Sequence, residues 1–322
     1  MRIILVVTAL SLSGALTADL SLSAQSGAGT YQLQKTIQIG GEGGWDYVAA
    51  DAAGKRLYVS HGTKVVVVDT GTTADAPAIL AAIKRISPKP IRYIIDTGPD
   101  ADHVGGNETL AKAGERVLSG GGGRTANSMP PVVAVENALR HLTKSPVDAL
   151  PNETFHYPRK YMYLNGEAIE IFSQPDAHTD SDAFVFFRRS DVVVAGDVLD
   201  TRQFPVIDVA RGGSIQGEIA ALNRLVELAV PSVPIVSREA GTIVVPGHGR
   251  LCDQYDVIDY RDMVTIIRDR VRELIKAGRS LAEVKAAQPA KGYVGRYGNT
   301  GGAGTADRFI EAVYQGLLKE KA

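Results

Sequence analysis

This chain of 322 residues predicts an α/β fold of four layers, an αββα sandwich in which two β-sheets lie face to face with helices on both outer sides. Strand-type runs fall into two series, and each series is followed by segments of helical periodicity. Composition does not shift between the two halves, so residues 31 to 322 read as one domain.

The first series opens with "WDYVAADAAGKRLYVSHGTKVVVVDTG". Its β-branched and aromatic runs are cut by Gly, Asp and Lys turns, which predicts two or three antiparallel strands. The same stretch resembles one blade of the YVTN-type β-propellers. A propeller needs about 4 to 8 such blades, and the sequence has no second copy, so these strands read as the opening hairpin of the sandwich. A helix is expected over residues 74 to 86, capped near Thr73 and stopped before Pro88. The strand "IRYIID" and the loop "DTGPDADHVGGN" follow. A helix over 108 to 113, a strand at "RVLSG", the glycine-heavy loop "GGGGRTANSMPP", a helix at "VVAVENALRHL" and a long surface connection, "KSPVDALPNETFHYPRK", complete the first half.

The second series is "YMYLNGEAIEIFSQ", "DAFVFFRR" and "DVVVAGD", with Asn165-Gly166 as a tight hairpin turn. Helices at 216 to 229, 257 to 277 and 306 to 319 flank one more strand, "GTIVVPG".

The bulk numbers limit the function classes. With 44% hydrophobic and 22% charged residues the chain is an ordinary globular one. A net charge of −1 and the lack of a basic cluster with interleaved aromatics argue against nucleic acid as a partner. At the amino terminus, Arg2 precedes the apolar run Ile3 to Leu16, and small residues follow up to Ala24 and Ala28. This is secretory signal grammar, giving a signal peptide over residues 1 to 28 and a periplasmic or secreted destination. The run is shorter than the roughly 20 residues a membrane span requires, so none is expected in the mature protein. Cys252 is the single cysteine; stability must come from the core rather than from a disulfide.

Four strand ends carry side chains suited to a metal: "DADH" with Asp102 and His103, "DAHTDSD" with His178, "VVVAGD" with Asp197, and "VVPGHG" with His248. Carboxylates and imidazoles delivered by separate loops suit Zn(II) or Fe. Singly, His178 could be an ordinary hydrogen-bonded loop histidine, Asp197 a turn acceptor and His248 a turn residue. Their joint order gives them weight.

Those segments, with "VVVVDTG", "PIRYIIDT", "DHVGGN", "AGDVLD" and "VPGHGR", make the chain similar to the metallo-β-lactamase-fold superfamily of metal-dependent hydrolases over nearly all of residues 65 to 318. Laid on the superfamily's H-x-H-x-D-H loop, the two leading histidines fall on Gly98 and Asp100, and the remaining pair on Asp102 and His103. The resemblance implies a first metal position matching Gly98, Asp100 and His178, a second matching Asp102, His103 and His248, and Asp197 between them. The first has lost two imidazoles and the second none. This uneven loss implies one ion, most simply zinc, at the second position. Asp100 is reminiscent of the flavodiiron branch of this fold; with His178 and a bridging Asp197 it could make a weaker, harder position for Fe or Mn. Otherwise it holds a water or orients His103.

The expected function is a metallo-hydrolase in which a metal-bound water attacks an ester, lactone, thioester or amide carbonyl of a small molecule, a β-lactam being one candidate. Asp102 is the candidate catalytic group for the proton, and Asp69 resembles a family carboxylate that supports the metal loop. Arg124, Arg202 and Phe204 are candidate substrate contacts. The alternative is a non-catalytic periplasmic binding or accessory protein that keeps the fold around a degraded site.

Overall fold

The computed structural model describes residues 45–51, 56–61, 64–115, 129–156, 158–232, 241–298, 302 and 304–319, with backbone alone for the first two segments. The expected signal peptide, the strand at "RVLSG" and Arg124 lie outside the described residues.

The first sheet has the order β1 (Trp45–Asp51), β2 (Arg56–His61), β3 (Lys64–Val68), β4 (Ile91–Ile95), β5 (Val132–Val135), β6 (Glu153–Phe155). Its first three strands form the expected antiparallel meander, and β3 to β6 run parallel. The second sheet has the order β11 (Ile243–His248), β10 (Val192–Asp200), β9 (Asp182–Phe187), β8 (Glu167–Gln174), β7 (Arg159–Leu164). There β10 and β11 are parallel and the rest antiparallel. Asn165 and Gly166 both take positive φ, 56° and 75°, between β7 and β8, as the predicted tight hairpin requires.

Strand periodicity sorts the apolar side chains into layers. Val66, Val68, Ile95 and Val133 of the first sheet meet Ile169, Ile171, Val185, Val194 and Val245 of the second in one inter-sheet core. The alternate residues Val65, Val67, Ile91, Ile94 and Val132 face outward, under α1 (Ala76–Ile86) and, beyond the short α2 (Ala101–Val104), α3 (Asn107–Lys112). Phe172, Phe184, Phe186, Val193 and Val244 face the other way. They pack against α5 (Ile215–Leu228), α6 (Gln254–Lys276), α7 (Leu281–Ala286) and α9 (Ala306–Lys319); the described residues also hold the short α-helices α4 (Ala138–His141) and α8 (Val294–Tyr297). The four layers are those predicted. Each fully buried Val or Ile contributes about 1.5–3 kcal/mol, and three such clusters leave the strand mouths as the place where polar groups gather.

Two expectations fail in one region. "VVAVENALRHL" is not one helix: Val132–Val135 is strand β5, and only Ala138–His141 is helical. All four β5 residues are buried, and a parallel strand covered on both faces reads as an unbroken apolar run, which periodicity alone does not separate from a buried helix. The supposed surface connection after it contains β6, an edge strand of three residues. Cys252 lies just past β11 and is buried, its backbone exchanging two 2.9 Å hydrogen bonds with Val244.

Candidate metal centre

The site forms where β3, β4, β10 and β11 end. At the mouth of β3, Asp69 takes a positive φ of 56°, a conformation that Asp tolerates better than most residues. Its Oδ1 accepts the Thr97 N–H at 2.7 Å and its Oδ2 the Thr97 hydroxyl at 2.7 Å. The same Oδ2 lies 2.7 Å from His103 Nδ1. Asp69 thereby fixes the His103 ring with Nε2 aimed at the cleft, the arrangement that orients a metal-binding imidazole. The loop itself is braced from behind, since the Thr70 N–H donates to His103 O at 2.6 Å and Asn107 Nδ2 donates to Asp96 Oδ2 at 2.9 Å.

Asp197 lies in β10 and His248 ends β11, two adjacent strands brought close by glycine. A Cβ on Gly247 would fall 2.6 Å from both Asp197 Oδ1 and Gly196 O. His103 Nε2 is 3.2 Å from Asp197 Oδ2, His248 Nε2 is 2.9 Å from Asp197 Oδ1, and His248 Nε2 is 3.6 Å from Asp102 Oδ2. Donor atoms bound at about 2.0–2.1 Å around a tetrahedral zinc sit ~3.3 Å apart, so these spacings match ligands of a shared ion. His103 Nε2 and Asp197 Oδ1 are buried and make no hydrogen bond of good geometry despite these short separations. Buried atoms left without a well-aligned partner keep lone pairs that an ion could take. The donors of Asp102, His103 and His248 all lie within 4.8 Å of one another.

The other half of the cleft differs. Asp100, His178 and Asp197 also offer donors within 4.8 Å of one another, but Asp100 is committed on both oxygens. Its Oδ2 is 2.9 Å from His178 Nε2, and its Oδ1 accepts Arg211 Nη2 at 2.8 Å. His178 Nδ1 donates to Val206 O at 2.6 Å, and its Nε2 stands 3.9 Å from Asp197 Oδ2. A carboxylate engaged by a guanidinium and an imidazole does not fit as a ligand of a first-position ion.

Charge explains the protonation pattern. Burial pushes the His103 imidazole down, but Asp197 and Asp69 outweigh it and hold the group well above the usual histidine range. His178, also opposed by burial, is raised to about 10 by its bond to Asp100 and by the nearby Asp197 and Asp182. Burial would raise Asp197, yet His103, His248 and His178 keep it well below the ordinary carboxylate range. A divalent ion would compete with protons for these nitrogen lone pairs. Asp182, buried under the His178 loop, is raised to about 6 by desolvation, offset in part by His178 and by the two hydrogen bonds it accepts from Thr179. Glu218 of α5 is fully buried with neither oxygen hydrogen-bonded, and desolvation, then Asp182, raise it well above its usual range.

Among the predicted site residues, the structure gathers Asp100, Asp102, His103, His178, Asp197 and His248 at one cleft, with Asp69 behind His103. Arg202 turns to Asp200: its side chain, 45% exposed, is held by that carboxylate at 3.2 Å, and its Cγ packs beside Gly249, next to His248. Phe204 is a correction. It is 0% exposed and packs between Phe309 and Tyr297, at ring separations of 5.9 and 6.0 Å, so it has no face to offer a substrate. Arg211, Asp96, Asp182 and Glu218 escaped the sequence reading. Asp182 lay in plain view within "AHTDSD"; Arg211 had only the weak signal of an Asp three residues before it and two glycines after.

The four αββα layers carry at their strand mouths an acidic-imidazole cleft whose donors could hold a metal ion. The family model of the metallo-beta-lactamase superfamily matches residues 57–248. The chain belongs to that superfamily, whose members are in general metal-dependent hydrolases. Among solved structures it is similar to the stereoselective inverting sec-alkylsulfatase Pisa1 from Pseudomonas sp., with a TM-score of 0.62 and 16% identity over 84% of this chain and 48% of that one. A metallo-beta-lactamase from Pontibacter korlensis gives a TM-score of 0.51 and 20% identity over 68% of this chain and 88% of that one. The chain thus spans about half the length of the sulfatase, and at these identities both likenesses speak for the fold. A search of curated protein sequences finds no match.

Proposed function

We propose that this protein is a hydrolase using one divalent ion, zinc by preference, held by Asp102, His103, Asp197 and His248, and acting on an ester, lactone, thioester or amide carbonyl of a small molecule. The observation that supports the reading is the close approach of these side chains: Asp102, His103 and His248 offer donors within 4.8 Å of one another, and Asp197 lies 3.2 Å from His103 Nε2 and 2.9 Å from His248 Nε2. When bound, the ion would supply Lewis acidity, lowering the pKa of a water toward roughly 7 and polarising a carbonyl oxygen.

The chain's own residues divide the remaining work. Asp69 and Thr97 keep the His103 ring from rotating. Asp197, 3.2 Å from His103 Nε2 and 2.9 Å from His248 Nε2, would balance the charge of the ion and sets the separation of the two rings. Asp102 has the most exposed side chain of the four, 35% against 12% for His248, 15% for Asp197 and 3% for His103. It is therefore the group that can loosen from the ion and accept, at a carboxylate oxygen, the proton of the attacking water. Export by the amino-terminal signal belongs to the same reading, and sequencing the amino terminus of the mature protein tests it.

The test is elemental analysis of the purified protein beside an ester, lactone, thioester and β-lactam hydrolysis panel, for wild type and Asp197→Ala. One ion and turnover, both lost in the variant, are expected. Metal-free protein without turnover would favour the binding-protein alternative.

A further inference from the structure

Arg211 comes from the turn between β10 and α5 and is held there by several independent contacts. Asp208 Oδ1 accepts the N–H groups of Ala210 and Arg211 at 3.0 Å each, and its Oδ2 accepts Arg211 Nε at 2.7 Å. Arg211 O accepts the Asp180 N–H at 2.9 Å, and the Asp208 N–H donates to His178 O at 2.9 Å. Only glycine fits where this turn crosses the His178 loop, because a Cβ on Gly213 would lie 2.2 Å from His178 O. The guanidinium is therefore preorganised, with its Nη2 edge delivered to Asp100 Oδ1 at 2.8 Å.

That carboxylate is the one a first-position ion would need. Asp100 has its second oxygen on His178 Nε2, so a cation could take Asp100 only by displacing the guanidinium or the imidazole. It would also stand beside a fixed positive charge in a partly buried cleft, where like-charge repulsion is poorly screened. On the facing side, Gly98 offers no imidazole to repay that cost.

Resting on the one-ion reading above, we propose that Arg211 is a built-in cation that takes the place of the first metal ion: it claims Asp100 and holds the centre to a single divalent ion. Arg211 is a positioning residue here, acting through Asp100.

The test counts ions. Full-length protein is equilibrated with zinc and then with Mn(II), and bound metal is read by elemental analysis and by the Mn(II) paramagnetic resonance signal. Wild type is expected to hold one zinc and no manganese. Arg211→Gln, which takes the guanidinium charge off Asp100 Oδ1, should gain one Mn(II) per chain, whereas Arg211→Lys, which keeps the charge, should match wild type. If Arg211→Gln does not fold, Asp208→Asn supplies a milder release, with Mn(II) uptake expected at a concentration where wild type takes up none. Two ions in wild type, a second ion in the lysine variant, or no gain in either releasing variant would overturn the proposal while leaving a one-ion hydrolase standing. Wild type that binds no ion would overturn the hydrolase reading and this proposal with it.

Discussion

Asp100 and Asp102 sit two residues apart on one loop, yet they serve opposite halves of the cleft. On the Asp102 side, His103, Asp197 and His248 present donors about one ligand-to-ligand distance apart, and His103 Nε2 and Asp197 Oδ1 lack well-aligned hydrogen bonds. On the Asp100 side every facing atom already has a partner in Arg211, His178 or Val206. The same residue types thus reach different ends. What separates the halves is whether the surrounding structure leaves lone pairs unspent, since buried polar groups that are satisfied have little to gain from an ion.

The sharpest way to break this contrast is to remove one donor from each side. His248→Ala should weaken zinc binding by more than about 100-fold, since even outer supporting groups are worth 10–100-fold. His178→Ala should leave the bound zinc at one per chain. Equal losses in both variants, measured by zinc titration against a fluorescent chelator, would erase the distinction.

Next in size is Asp69→Asn, which keeps a residue tolerant of the positive φ at this position but removes the charge on His103 Nδ1. Zinc affinity should fall by about 10–100-fold with little change in melting temperature. Gly247→Ala sharpens the comparison from below, because the new methyl would press on Asp197 Oδ1 and Gly196 O. Overpacking of about 1–3 kcal/mol is expected, seen as an earlier denaturant midpoint together with weaker zinc binding.

The smallest effect concerns the polar layer beneath the cleft. Glu218 has a folded-state pKa raised by burial and Asp182, so it retains its proton on folding. Its contribution to stability is complete below the ordinary carboxylate range and declines as pH rises toward the folded value. Glu218→Gln should match wild type near pH 4 and be more stable at pH 8 by on the order of 1–3 kcal/mol. Urea melts at the two pH values check this, and parallel slopes for both proteins would contradict it.

Much of this was legible in the sequence, for physical reasons. β-Branched and aromatic runs cut by Gly, Asp and Asn turns marked β3, β8, β9 and β10 as strands, and two such series, each followed by helices, carried the sandwich. Asp102, His103, His178, Asp197 and His248 stood out because ligand-type side chains clustered at strand ends. Strand β5 was lost because burial on both faces removes the alternation that marks a strand. Arg211 was hidden because its meaning depends on a contact with Asp100, 111 positions away, which no local pattern encodes. Phe204 misled because a loop bearing Pro205 suggests a rim, whereas the chain there turns inward toward Phe309 and Tyr297.

The doubling-back at Cys252 has a practical side. Burial first, and Asp256 after it, push that thiol up to about 12, and a thiol that stays protonated is a poor nucleophile. It is also the chain's single sulfhydryl. Maleimide dyes and spin labels should therefore pass it by, so that a Tyr163→Cys change on the exposed edge strand β7 would accept one reporter per molecule without first stripping out the native cysteine.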